Sequence, residues 1–318
     1  MSDPVRKPTL LQCCTAAIGS LHGAVRPRPA DQRFLRSITD AGLPRAERTV
    51  TVTALTNFPR PVPTQVVVEG VSTPRRITSA LSSFVIQHPE ATFIVDPGFC
   101  IDAEHRAIAQ LPAVIRPVAR PPAETIATAT ALKAQPGLPA LDFALPTHAH
   151  WDHVCGLLDL PGLPVHLHSV ERDWVLAGPV APVGGVRDSL VDRPHQEYDL
   201  DGPPILTFTR SHDLFGDGSV VLVDLAGHTP GSIGVLAHTT YGWKLLAGDA
   251  AWHTLQIDRI RQKATYPGVF MDHDRDATFR TLHRLHLAQR LVPVIPTHDH
   301  DAALLLAAPD AEVAEPLP

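Results

Sequence analysis

The chain has 318 residues, 44% of them hydrophobic and 19% charged, with a net charge of −6. That length can bury a sizeable core, and 20 Gly with 32 Pro in no Gly-x-y period exclude collagen, coiled coil and wholesale disorder. The 18 histidines are the anomaly, and they need a role.

Charge is unevenly spread along the chain. Residues 1–60 hold nine Lys/Arg against four Asp/Glu, whereas residues 61–318 hold 18 against 29. An acidic body lacks the clustered cations that phosphate binding needs, so no nucleic-acid partner is expected. Pro8 to Val25 is uncharged, follows Arg6 and Lys7, and has an apolar centre at Leu10 to Gly19. It is too short and too interrupted to span a bilayer, so no membrane partner is expected. It reads as part of an N-terminal extension over residues 1–50, with a cleaved export signal as the lesser alternative. Cys13, Cys14, Cys100 and Cys155 form no CxxC pair, which points to neither a zinc knuckle nor a disulfide framework and favours the cytoplasm.

Strand-like runs rich in Val, Ile, Thr and Phe recur at 49–55, 64–69, 83–87, 92–96, 142–147, 164–167, 204–209, 219–225, 233–238 and 292–296. Helical candidates lie between them at 102–110, 122–134, 153–159, 169–177, 275–290 and 300–307, the clearest carrying Phe279, Leu282 and Leu285 at helical spacing. Such alternation predicts layered α/β. Pro-rich breaks at 59–63, 117–122 and 179–182 do not divide the composition. One catalytic domain is therefore expected over 51–310, followed by a tail over 311–318.

The decisive segment is LPTHAHWDHVCG, residues 145–156, with His148, His150, Asp152 and His153 directly after an apolar strand. Residues two apart at a strand end point the same way, so His148 and His150 can present imidazoles to one metal ion. Asp152 and His153, on the turn into the next helix, can face a second. Other histidines have plainer readings: His166 and His168 mimic a ligand pair inside a strand, and His283 and His286 fall on a helix.

The HAHWDH run resembles the H-x-H-x-D-H signature of the metallo-β-lactamase superfamily, and later pieces follow in the order that family requires. Asp96 in FIVDPG is similar to its early strand-end aspartate, His228 in AGHTPGS to its third histidine, Asp249 in LLAGDAAW to its bridging carboxylate and His298 in VIPTHDHD to its last ligand. The resemblance implies a four-layer αββα sandwich. It also implies two divalent metal ions, zinc by preference, held by His148, His150, Asp152, His153, His228, Asp249 and His298, with Asp96 behind them. A metal-bridging hydroxide would then attack an ester or lactone carbonyl, with Asp152 as the catalytic carboxylate.

The stretch GDGSVVLVDLAGHTPGSIGV is most similar to the branch of N-acyl homoserine lactonases and related ester hydrolases. Lactonases of that branch commonly carry a tyrosine three residues after the bridging aspartate; here that position is Trp252. Trp151, Trp252 and Tyr266 are candidate pocket residues. The sequence thus points to a dinuclear hydrolase of a small-molecule ester or lactone. A glyoxalase II-like thioesterase or phosphoester hydrolase stays open, favoured by Arg259, Arg261 and Lys263, as do a metal-binding scaffold without turnover and a homodimer.

Overall fold

The structure is a computed structural model that describes residues 10–306, apart from positions 112, 114–115, 178–186, 188–189 and 191–192. The expected Pro-rich break at 179–182 and the tail over 311–318 lie outside the described residues.

Two sheets face each other. The first runs β1 (Thr51–Pro63), β2 (Arg76–His88), β3 (Ala91–Val95), β4 (Phe143–Leu145), β5 (Val165–His168) and β6 (His195–Tyr198), adjacent in that order. The second is ordered β11 (Val294–Ile295), β10 (Gly242–Leu246), β9 (Ile233–Thr239), β8 (Val220–Asp224) and β7 (Ser211–Asp213). Alternation along each strand sorts the apolar residues into three layers of core. Phe84, Ile86, Phe93 and Val95 point inward and meet Leu222, Val235 and Leu246 of the second sheet. Val85 and Ile94 point outward and pack with Leu111, Leu157 and Val175. On the far side, Val223, Leu236 and Leu245 meet Phe279, Leu282 and Leu285 of the helix Arg275–Ala288. The result is the four-layer αββα sandwich.

Some expected elements differ. The run 64–69, expected as a strand from its valines, opens with a helical turn, Thr64–Val67. Pro63 closes β1 there, Thr64 Oγ1 donates to Pro74 O at 2.6 Å, and Val67 and Val68 bury against Ile77. Residues 204–209 form a tight turn bridged between Ile205 and Phe208 rather than a strand. The helix expected over 122–134 is confined to Thr128–Lys133; before it the chain turns, with Thr125 N donating to Pro122 O at 3.1 Å and Ile126 N to Asn57 Oδ1 at 2.9 Å.

Part of the N-terminal extension is a helix, Leu10–Val25, packed on the helix Thr265–Met271. Ser20 Oγ accepts from Tyr266 N at 2.7 Å. Gly19 permits this close contact: a Cβ there would stand 2.8 Å from Thr265 Cγ2, so the threonine would have to shift. Ile18, Leu21 and Val25 remain exposed on the helix's other face. Among the described residues, no helix is long and apolar enough to cross a membrane.

Candidate metal centre

Five loops meet where strands of both sheets end. Asp96 follows β3, residues 148–153 follow β4, His228 follows β8, Asp249 follows β10 and His298 follows β11. Strand ends are rigid anchors, whereas the loops leaving them are free to turn side chains into the seam between the sheets. The turn carrying His228 needs Gly227: its φ is +140°, and a Cβ would stand 2.3 Å from Thr278 N. That close approach lets Asp274 N donate to Gly227 O and His273 N to His228 O, both at 2.9 Å.

The seven ligand candidates converge. His148 Nε2 lies 3.0 Å from His150 Nδ1, which lies 2.8 Å from His228 Nε2. Asp249 Oδ1 is 3.3 Å from both His153 Nε2 and His298 Nε2, and its Oδ2 is 3.4 Å from His228 Nε2. His298 Nε2 is 3.6 Å from Asp152 Oδ2. The candidates form three groups, His148/His150/His228, His148/His153/Asp249 and Asp152/His153/His298, each with ligand atoms within 4.8 Å of one another.

The far nitrogens of four imidazoles are already committed. His153 Nδ1 meets Asp96 Oδ2 at 2.8 Å, His228 Nδ1 meets Asp272 Oδ1 at 2.8 Å, His298 Nδ1 meets Ala80 O at 3.0 Å and His148 Nδ1 meets Thr147 Oγ1 at 3.1 Å. Each far N–H donates to an oxygen, which turns each near Nε2 into the seam, where it can bind a metal ion once it carries no proton. His153 Nε2 and Asp249 Oδ1 are buried without a hydrogen-bond partner. Buried polar atoms left without a partner are costly, and a cation held between these two would satisfy both. The donor set, imidazole nitrogens with carboxylate oxygens, suits zinc.

Electrostatics follows from burial and neighbours. Burial, reinforced by the adjacent imidazoles, holds His148 well below the usual histidine range, so it stays neutral. Burial also disfavours a charged His153, but the Asp249 and Asp96 carboxylates outweigh it and hold that imidazole well above. Burial alone would raise Asp249, yet His298 and His153 hold it well below the carboxylate range. Asp96 takes Thr147 N at 2.7 Å as well as Thr147 Oγ1 at 2.9 Å, and its left-handed φ of 51° is the backbone strain such a site tolerates.

A pocket of about 280 Å³ opens beside Asp152 and His298, walled by Leu81, Phe99, Trp151, Trp252, Tyr266 and Met271. Trp252 Nε1 donates to Asp249 Oδ2 at 2.6 Å. The cations at 259–263, read from sequence as a feature favouring an anionic substrate, do not line this pocket, where Arg60 is the cation among the described residues. Lys263 is buried against Asp272 at 2.9 Å, and Arg261 Nη1 donates to Arg28 O at 2.8 Å.

Two buried groups, Glu171 and Asp272, escape the sequence reading, and a third, Lys263, has a different role from the one the sequence suggests. Glu171 joins two ligand loops, Oε1 accepting from Ala149 N at 2.7 Å and Oε2 from Thr229 Oγ1 at 2.7 Å and Gly231 N at 3.0 Å. Asp272 and Lys263 support His228 from behind. No local pattern marks them, although the acid-rich MDHD at 271–274 was a clue. His166 and His168 are structural: one stacks on Phe143 with ring centroids 3.8 Å apart, and the other bonds Gly231 O at 3.1 Å.

Residues 79–314 match the family model of the Metallo-beta-lactamase superfamily. Curated relatives include probable metallo-hydrolases of Mycobacterium bovis and Mycobacterium tuberculosis, each 28% identical over 173 residues that cover 49% of this chain. The chain spans about half the length of these relatives, 54%. Among solved structures, a variant of B. thuringiensis AiiA with N-decanoyl-L-homoserine bound at its active site superposes with TM-score 0.59 at 15% identity, covering 80% of this chain and 95% of that one. AidC, a dizinc quorum-quenching lactonase in complex with its product, gives TM-score 0.54 at 14% identity over 81% and 90% of the two chains. Hydrolase AbOPH gives 0.57 at 16% identity over 80% and 88%. At these identities the likeness is one of fold.

Proposed function

The chain belongs to the metallo-β-lactamase superfamily, and from that premise we propose that it is a dinuclear, zinc-dependent hydrolase of a small, uncharged ester or lactone. The observation that carries the reading is the sharing of Asp249: its two oxygens face histidines of different groups, beside a largely apolar pocket. His148, His150 and His228 would hold one ion and Asp152, His153 and His298 the other, with Asp249 common to both. Bound zinc would supply Lewis acidity, acidifying a water toward neutral pKa and polarising the carbonyl under attack.

The chain's own groups do the rest. Asp152 lines the pocket next to His298, where its carboxylate can hold the attacking water and carry a proton to the leaving oxygen. Trp151 and Trp252 offer apolar faces that exclude bulk water from the reacting carbonyl. Tyr266, on the wall under the N-terminal helix, would contact the acyl part of the substrate. The catalytic unit is taken as residues 51–310, with 1–50 as an extension whose helix Leu10–Val25 packs against it. The lactonases superposed above bind acyl-homoserine products, which favours a carbonyl ester over a phosphoester; the apolar wall does the same.

A panel of lactones, aryl esters, thioesters and phosphodiesters, assayed on wild type and Asp152→Ala with zinc quantified by elemental analysis, tests the reading. Two zinc ions per chain and hydrolysis of a lactone or aryl ester that collapses in the variant are expected. Fewer than one metal per wild-type chain, or no member hydrolysed faster than by the variant, overturns it.

A further inference from the structure

Lys263 is a lysine inside the protein, 1% exposed, and the hydrolysis outlined above does not use it. Buried lysines persist where every proton of the ammonium has somewhere to go. Its Nζ donates to Asp272 Oδ1 at 2.9 Å and to the main-chain oxygen of Asp249 at 3.2 Å. The same Nζ lies 4.8 Å from the centroid of the Trp252 ring, within cation–π range. Asp272 Oδ1 in turn takes the Nδ1–H of His228 at 2.8 Å. One ammonium thus ties together the main chain of Asp249, the wall residue Trp252 and, through a single carboxylate oxygen, the imidazole of His228.

The lysine's own backbone is held just as firmly. Arg275 Nη2 donates to Lys263 O at 2.9 Å, Glu69 N to Gln262 O at 2.9 Å and Ala264 N to Val66 O at 3.1 Å. Such anchoring makes the side chain a rigid strut. Without it, the Asp272 carboxylate would have, among the described residues, the His228 N–H as its sole side-chain partner and could rotate, taking the imidazole with it.

We propose that Lys263 is a positioning residue, a brace that fixes His228 and Asp249 relative to each other while contacting neither metal nor substrate. The proposal rests on the dinuclear reading above. It assigns this lysine to ligand geometry and removes it from substrate recognition.

The test compares wild type, Lys263→Met, Asp272→Asn and the double variant. Zinc stoichiometry, zinc affinity by chelator competition and the visible spectrum of the cobalt-substituted protein are measured, with folding followed by far-UV circular dichroism. Wild type should bind two zinc ions. Each single variant should bind zinc about 10–100-fold more weakly, the range for losing an outer-shell partner, and should shift the cobalt bands. The double variant, which leaves no unpaired buried charge, should bind no more weakly than Asp272→Asn. A folded Lys263→Met with wild-type affinity and spectrum overturns the brace. If that variant does not fold, the double decides: weaker zinc binding than Asp272→Asn shows that Lys263 acts independently of Asp272 and overturns it too. Absence of zinc from wild type is a different failure, that of the dinuclear reading, and removes the brace with it.

Discussion

Trp252 and Asp249 are joined by a 2.6 Å hydrogen bond from the indole N–H to the carboxylate Oδ2. The residue therefore does two jobs, with its ring on the pocket wall and its edge steering the carboxylate proposed to be common to both ions. Where lactonases of the resembling branch carry a tyrosine, this chain offers a donor already committed to the proposed bridging carboxylate. The activity profile should differ accordingly.

Trp252→Phe keeps an aromatic wall and removes the donor. A hydrogen bond to a charged group contributes about 1.5–3 kcal/mol, so kcat/KM should fall ~10–100-fold, with the loss mainly in kcat. Steady-state kinetics on the best panel substrate check this, and an unchanged kcat would show that the bond is incidental.

Glu171 supplies a pH signature. Burial pushes its carboxyl up from 4.5 to about 7, although three donors favour the ionised form. Between those values the folded protein holds a proton that the unfolded chain has released, so this group's contribution to stability is present at low pH and declines as pH rises from 4.5 to about 7. The difference is about 3 kcal/mol. Glu171→Gln, which does not titrate, should gain stability relative to wild type across that window. Denaturant melts of the chelated proteins from pH 4.5 to 8 measure the gap; one that stays constant with pH would contradict the assignment.

Much of the centre was legible because its chemistry is local. His148, His150, Asp152 and His153 fall within six residues of one another, and strand-end spacing states their direction. His228, Asp249 and His298 became legible only through their order, as a family resemblance. Glu171 and Asp272 were not legible, and Lys263 was legible only as a cation near the substrate, because what defines them is tertiary: a carboxylate that bonds loops 22 and 60 residues away leaves no periodic trace. The fold shows the same division. Long apolar strands such as 92–96 announced themselves, whereas β7, with three residues, is too short for alternation to register. The valines at 66–68 read as a strand because β-branching was weighed without the turn that Pro63 and Thr64 impose.

The N-terminal helix bears on the pocket through Tyr266. Removing residues 1–25 deletes the Ser20 acceptor and uncovers the Thr265–Met271 helix behind the wall. The expected result is a KM raised about 10-fold, on the order of one lost backbone hydrogen bond, with zinc content unchanged. Ser20→Ala should move KM in the same direction by less. A truncated protein with wild-type KM would show that the helix is irrelevant to the pocket.

Arg60 is exposed at the pocket lining. Exposed ion pairs contribute about 0.2–1 kcal/mol. Arg60→Ala should therefore leave neutral esters unaffected and raise KM for substrates bearing a carboxylate by at most about 5-fold. A drop exceeding 100-fold for a phosphodiester would instead return the anionic-substrate reading to favour.

Because the candidate ligand side chains are strung from position 148 to position 298, a ribosome delivers them one at a time. When His153 has emerged, four candidate ligands sit on an unfinished sheet and can hold a cation only loosely. Asp249 and then His298 arrive about 100 and 150 residues later, carried on the second sheet. On the proposed ligand set, tight metal uptake would have to wait for the two sheets to dock, so that only chains assembled past residue 298 would hold zinc.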